Sequence, residues 1–336
     1  MPQIPAADDA GAAARLDLLA VGQIFLDVLY GPLPSAPMPG QEIFTPQVTL
    51  VPGGIANFAL AGTALGARTG VVASCGEGPL GDLAISHLAA AGVETAHLQR
   101  YAAADLQLTT ALSYDGERAL ITGGAAPESA AVPAAALVES RAVAVHLELA
   151  EMPWLEHAPG AVFADVGWDP TGHWDRAILR HLEHCAAFLP NAAEAQAYTG
   201  ADDPSSAARA LAERTPLVVV TCGAEGAIAV DSAHGTEVSV DAVDLGPVDP
   251  TGAGDTFGAA LITLLGAQLP LRDAVEGACL AATARAAGVA GPARTPQLND
   301  LVALAERHGL ASSTPLAELA SRSPQGVSAR LQEPVT

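Results

Sequence analysis

The chain has 336 residues, 37 of them acidic and 15 basic, for a formal net charge of −22; half are apolar and only 4% aromatic. That length and apolar content suit one large α/β domain or two ordinary ones and exclude a disordered or collagen-like chain. The charge argues against nucleic acid and against an anionic membrane surface, both of which need clustered positive charge.

All the basic residues are arginines. Without lysine, a Schiff-base enzyme, a Walker-type P-loop and a lysine-dependent protein-kinase site are excluded. Cys75, Cys185, Cys222 and Cys279 are scattered, with no C-x-x-C pair. This fits small buried hydrophobes in a reducing compartment better than disulfides or structural zinc. No signal-peptide pattern and no uninterrupted apolar run of about 18 residues is present, so a cytoplasmic protein is expected.

Along the chain, residues 1–14 are rich in Ala, Pro and Asp and are expected to form a loose tail. Leu16–Val21 reads as a strand. Between Val28 and Val51 come five prolines and short β-prone pieces, which suggest a small β excursion, a lid over about 28–52. Ile55–Leu65 reads as a helix, Thr69–Ala73 as a strand and Leu80–Ala91 as a helix stopped by Gly92. Leu106–Ile121 is β-prone around a D-G turn, so it could pair with the lid segment. Ala142–His146, Ala161–Asp165 and Leu217–Thr221 read as buried strands. His173–His184, Ala192–Tyr198, Ser205–Arg214 and Ala253–Leu265 read as helices. Residues 311–336 have weak periodicity and are expected to form a second loose tail. The alternation predicts an α/β fold with a mostly parallel central sheet covered by helices on both faces, and ligands beyond the carboxyl ends of its strands.

The strongest chemical signal is the turn Asp249-Pro250-Thr251-Gly252-Ala253-Gly254-Asp255, which opens into a helix. Free N–H groups at a helix start form an anion site, and glycine lets an oxyanion approach. Asp255 then puts a carboxylate where an anion should sit. That is reasonable if it deprotonates a hydroxyl while the N–H groups hold the group being attacked. Read alone, the turn equally allows Asp255 to be a helix-start charge. Gly252, Gly254 and Gly258 miss the dinucleotide spacing by one residue. In Pro52-Gly53-Gly54-Ile55-Ala56-Asn57 the glycines would let a ligand lie on the backbone and Asn57 could bond a hydroxyl pair. A tight strand-to-helix turn explains the same residues. His181, His184 and Cys185 share a helical turn without a fourth ligand and read as a helix face.

The Gly252–Asp255 turn, together with Gly53-Gly54-x-x-Asn57 and the following Leu65-Gly66, resembles the ribokinase/PfkB family of carbohydrate and nucleoside kinases. Asp27 after the first strand, Asn191-Ala192-Ala193-Glu194 and Thr221-Cys222-Gly223-Ala224-Glu225-Gly226 match further motifs in family order, over about residues 16–308. The resemblance implies a ribokinase-like three-layer kinase domain over about 15–310. It implies an ATP-dependent phosphotransferase acting on a sugar or sugar acid, with a nucleoside as the alternative acceptor. Asp255 would be the general base and the Gly252, Ala253 and Gly254 N–H groups the anion hole. Asp27, Gly53, Gly54 and Asn57 would bind the acceptor, and Asn191, Thr221, Gly223 and Gly226 the nucleotide. Glu194 would hold Mg²⁺, and some members use K⁺ near Asp249. Lids in the family pair between subunits, which adds a homodimer to the expectations. The sequence departs from the family where Pro250 replaces a common Thr and where Asp165-Val166-Gly167-Trp168-Asp169 stands for D-x-N-x-R. These departures indicate no particular sugar. A non-catalytic sensor on the same fold would have no use for a base at position 255.

Overall fold

The structure is a computed structural model and describes residues 4, 16–31, 33–102, 106–114, 117–125, 128–167, 169, 171–246, 249–291 and 294–322. Trp168 and the D-G turn at 115–116 lie outside these residues. In chain order the elements are β1 (Leu18–Val21), β2 (Ile24–Tyr30), β3 (Val48–Gly54), α1 (Ala56–Ala64), β4 (Thr69–Val72), β5 (Ser74–Gly76) and α2 (Pro79–Ala90). Next come β6 (Gln99–Tyr101), β7 (Leu108–Tyr114), β8 (Glu117–Gly123), α3 (Ala134–Val138), β9 (Ala142–His146), β10 (Ala161–Asp165) and β11 (Ala187–Phe188). The chain continues as α4 (Ala192–Thr199), α5 (Pro204–Leu211), β12 (Leu217–Thr221), β13 (Ala227–Asp231) and β14 (Thr236–Val240). It closes with α6 (Ala253–Gly266), α7 (Leu271–Ala286), α8 (Leu298–His308) and α9 (Ser313–Arg322).

The main sheet has eight strands in the order β14-β13-β12-β11-β10-β9-β1-β4. It is parallel from β4 to β12 and antiparallel at β13 and β14. Its strands read as unbroken Val, Leu and Ala runs because both faces are covered. Side-chain alternation sorts each run into two cores. Ala142 and Ala144 of β9 join the core built with α1, α6, α7 and α8, whereas Val143 and Val145 join the one built with α3, α4 and α5. A second sheet, β3-β2-β7-β8, stands apart. It unites the two β-prone segments through parallel pairing of β2 with β7, in which Asp27 faces Thr109. Residues 33–47, where most of the prolines lie, contain no named strand.

Three local expectations change. Arg176–His184 is a 3₁₀ helix rather than an α-helix, capped by Asp175 accepting from the Ala177 N–H. His181 turns inward there, its Nε2 lying 3.1 Å and 3.0 Å from the carbonyls of Glu148 and Ala150, so it is a packing residue. Ile4, within the expected first tail, is buried and its carbonyl accepts from the Gln268 side chain. Ser313–Arg322, within the expected second tail, is the helix α9. The Ser312 N–H donates to Glu276 at 2.7 Å, and Leu316 and Ala320 enter the core shared with α7 and α8. Three apolar side chains spaced over little more than one turn (Leu316, Leu319 and Ala320) suffice to dock this short helix.

Leu316→Ala should therefore lower unfolding free energy by about 2–5 kcal/mol in a denaturant titration. A loose tail would show no change.

Candidate active site

The site lies where the parallel strands end. β9 ends in His146, β10 in Asp165 and β12 in Thr221, and β11 leads into Asn191. At such a sheet edge, strand termini and helix starts converge. Opposite them, α6 begins at Gly252, which adopts a left-handed φ of 70° as the helix N-cap. Asp249 shapes the approach, since its Oδ1 accepts from Thr251 N at 3.0 Å and Thr251 Oγ1 at 2.6 Å.

Asp255 sits in the first turn of α6 and is held from two sides. Asn57 Nδ2 donates to its Oδ2 at 3.0 Å, and His146 Nε2 lies 3.4 Å from its Oδ1. Asn57 is therefore a support for Asp255, in addition to any contact it makes with a ligand. Of the three N–H groups expected in the anion hole, Ala253 N donates to Pro250 O at 3.0 Å and so closes the turn. Among the described residues the N–H groups of Gly252 and Gly254 have no protein acceptor. Those two, at the positive end of the α6 dipole, are the available anion donors.

Asn191 and Glu194 make a complete capping box at the start of α4. Glu194 N donates to Asn191 Oδ1 at 3.0 Å and Asn191 N to Glu194 Oε2 at 2.8 Å. The helix-capping role that the motif allows is thus real, and it fixes the Glu194 carboxylate at the strand ends. Burial pushes the Glu194 pKa up, against the Asn191 bonds that lower it. Asp27, in β2, is also buried. Its carboxylate lies across β3, and a Cβ on Gly53 would collide with Asp27 Oδ2, which is the physical reason for glycine there. At Gly226, φ is 90° and an added Cβ would overlap the Val240 carbonyl.

Two cavities meet at Asn191, Thr221 and Gly254. One, of about 730 Å³, contains Asp27, Asn57, Asp165 and Asp255, with Phe25, Thr109 and Leu120 of the second sheet over it. The other, of about 690 Å³, runs along Gly223 and Gly226 over apolar ground from Leu245, Phe257 and Ala282. Every site residue expected from the sequence borders one of the cavities except Gly53, which supports Asp27.

Sequence reasoning missed His146 and Asp165. Their ligand atoms and that of Asp255 lie within 4.8 Å of one another. Each is the last residue of a strand, which was the available signal. Burial works against a charge on His146. The hydrogen bond and attraction from Asp255, with Asp165 and Glu194 adding, outweigh it and raise the imidazole pKa. Burial pushes Asp165 up to about 8, against the pull of His146 and with Glu194 and Asp255 adding to the rise.

Residues 18–292 match the model of the pfkB family of carbohydrate kinases. A ribokinase from Schizosaccharomyces pombe is 33% identical over 120 residues, which cover 32% of this chain and 37% of that protein, so the chain spans little more than a third of the length of this curated relative. Among solved structures, a putative ribokinase from Agrobacterium tumefaciens superposes with a TM-score of 0.77 at 18% identity, covering 88% of this chain and 98% of that one. A putative ribokinase II from E. coli, in complex with ATP and Mg²⁺, has a TM-score of 0.74 at 20% identity, covering 87% and 100%. These likenesses show the ribokinase fold, and the match over 18–292 shows that the chain belongs to the pfkB family of carbohydrate kinases.

Proposed function

We propose that this enzyme transfers the γ-phosphoryl group of ATP to a hydroxyl of a small neutral polyol, a free sugar or an uncharged sugar derivative. One observation carries the reading. Asp255 and the Gly252 and Gly254 N–H groups stand where a polar cavity holding Asp27 and Asn57 meets an apolar one holding Gly223 and Gly226. An acceptor in the first cavity and a nucleotide in the second would bring hydroxyl and phosphorus together there.

In the reaction, Asp255 takes the proton as the acceptor oxygen forms its bond to phosphorus. The bond from phosphorus to the β-phosphate bridging oxygen breaks, and ADP leaves with that electron pair. The Gly252 and Gly254 N–H groups face the charge that develops on the phosphoryl oxygens. Asn57 and His146 fix the orientation of the Asp255 carboxylate. Asp165 and Asp255, with Glu194 lining the same cavity, offer hard oxygen donors, and the pKa of Asp165 is raised first by burial, with Glu194 and Asp255 adding to the rise. That donor set fits Mg²⁺, with Glu194 and Asp165 as the residues that would hold it. When bound, the ion supplies positive charge to the triphosphate.

The acceptor cavity narrows the expectation of a sugar or sugar acid. Asp27, Glu148, Asp165, Glu194 and Asp255 line it, with His146 and no arginine among the described residues. Each like-charge pair about 4 Å apart costs about 4 kcal/mol at an effective dielectric of about 20. Sugar acids and phosphosugars are disfavoured accordingly. Phe25, Leu29 and Leu120 on the second sheet give a nucleoside base something to lie against, which keeps the nucleoside as the second reading. The same sheet leaves Val48 and Ile121 exposed, which fits the expected homodimer through the lid.

Asp255→Asn should keep fold and nucleotide binding and lose about 10²–10⁴-fold in turnover. The readout is ADP release from Mg·ATP across neutral sugars, sugar acids, phosphosugars and nucleosides. Normal turnover in the variant would sink the mechanism, and preferred use of an anionic acceptor would sink the assignment of a neutral one. A second prediction concerns Asp165. Folding holds its proton up to about pH 8, whereas the unfolded chain releases it near pH 4. The folded state therefore binds more protons between these values, and stability falls as pH rises through that window. In metal-free buffer, Asp165→Asn should gain stability relative to the parent at about pH 9 compared with about pH 4. Denaturant midpoints that shift equally at both pH values would show ordinary titration.

A further inference from the structure

A third cavity, of about 680 Å³, lies behind the catalytic turn, between α1, the end of α7 and the start of α8. Its charged lining is Arg285, Arg294 and Asp300, so arginines enter it although none lines the acceptor cavity. Arg285, in the last turn of α7, is only 8% exposed. Among the described residues it makes no hydrogen bond and no ion pair.

A guanidinium carries five donors in a fixed fork, and that of Arg285 borders the cavity with no protein acceptor among the described residues. Burial does lower the Arg285 pKa, while Asp249, Asp255 and Asp27 attract it without bonding to it. Two of those carboxylates are engaged elsewhere, Asp249 by Thr251 and Asp255 by Asn57 and His146. Asp300 accepts from the Gln297 N–H at 2.9 Å within the α8 cap. Arg294 is exposed at the cavity edge. A buried cation with unfilled donors, a second guanidinium nearby, and a volume within the range of small-ligand sites point to one ligand chemistry.

We propose that this cavity binds a small oxyanion, the phosphate or carboxylate group of a metabolite, with Arg285 as its buried anchor and Arg294 as its outer contact. Arg285 also lies beside the catalytic turn, since a Cβ added at Gly252 would come to 3.4 Å from its Nη2. Asn57, which holds Asp255, lines this cavity and the acceptor cavity alike. Occupancy would therefore bear on the position of the base, a consequence that rests on the proposed kinase reading, whereas the binding itself does not.

The test is calorimetric titration of the full chain with inorganic phosphate and, separately, with citrate, repeated on Arg285→Met and Arg294→Ser. Met fills much of the arginine volume without charge, and Arg294 is exposed, so the second variant keeps the fold if the first does not. Saturable binding of at least one anion to the parent is expected, weakened about tenfold or more in Arg294→Ser and lost in Arg285→Met. Whichever anion binds assigns the group as phosphate or carboxylate. Absence of saturable binding to the parent would overturn the proposal. So would binding unchanged in both variants, which would place the anion at the start of α6 instead. Because binding is read directly, failure here leaves the kinase reading standing, and normal turnover in Asp255→Asn would leave this site standing.

Discussion

The close crossing of α1 and α6 governs the rest of the site. Gly258, one turn into α6, lies so near Phe58 of α1 that an added Cβ would be 2.5 Å from the ring. That approach carries Asn57, the neighbour of Phe58, to within 3.0 Å of Asp255. Phe58 also meets the His146 ring edge-on, with centroids 5.8 Å apart. One buried aromatic ring thus sets the distance between the two helices and packs against the imidazole that flanks the base. A larger residue at 258 would push α6 away and loosen Asp255 on both sides, without touching any ligand.

Charge is distributed around this crossing with few cations. The chain has no lysine, and the acceptor cavity gathers five carboxylates around a single histidine. Such a group is stable only where protons, bonds or a metal relieve the repulsion. The first two devices are visible. Asp165 holds its proton to about pH 8, Glu194 is bonded into the α4 cap, and Asp255 is bonded by Asn57. The family activity, phosphoryl transfer, depends on positioning and on charge stabilisation, and backbone N–H groups with a metal can supply the latter without lysine. The nucleotide-side cavity, by contrast, is floored by apolar residues such as Leu245 and Phe257, which suit a base better than a phosphate.

Much of this was legible in the sequence because the parallel sheet is covered on both faces. Buried strands are then short unbroken apolar runs, and those at 142–146, 161–165 and 217–221 have the ends the sequence predicts. The helix starts at Gly252 and Asn191 carry local signals, namely glycine and a capping pair, and were readable for that reason. The site partners were less so. His146 and Asp165 come together only through the pairing of β9 with β10, which no local pattern records. The use of the Ala253 N–H in the turn is a backbone detail that motif spacing does not contain. α9 was missed because its docking rests on two buried side chains rather than on a long periodic face.

On the proposed reading, the chemistry and the choice of acceptor are encoded in different parts of the fold. The proposed base, the N–H groups proposed to bind the anion and the carboxylates beside them all stand on the main sheet and its helices, where burial on both sides constrains every position. The cavity proposed for the acceptor is roofed by Phe25, Leu29, Thr109 and Leu120, on the smaller sheet. Residues there can change without disturbing the core, since only their cavity-facing side chains meet the ligand. Asp27 is the exception that joins the two. It belongs to β2 of the small sheet yet lies buried against Gly53 beside the catalytic turn. On the proposed reading, Asp27 and Asn57 would hold a hydroxyl pair common to many polyols, and the roof would select among the molecules that present that pair.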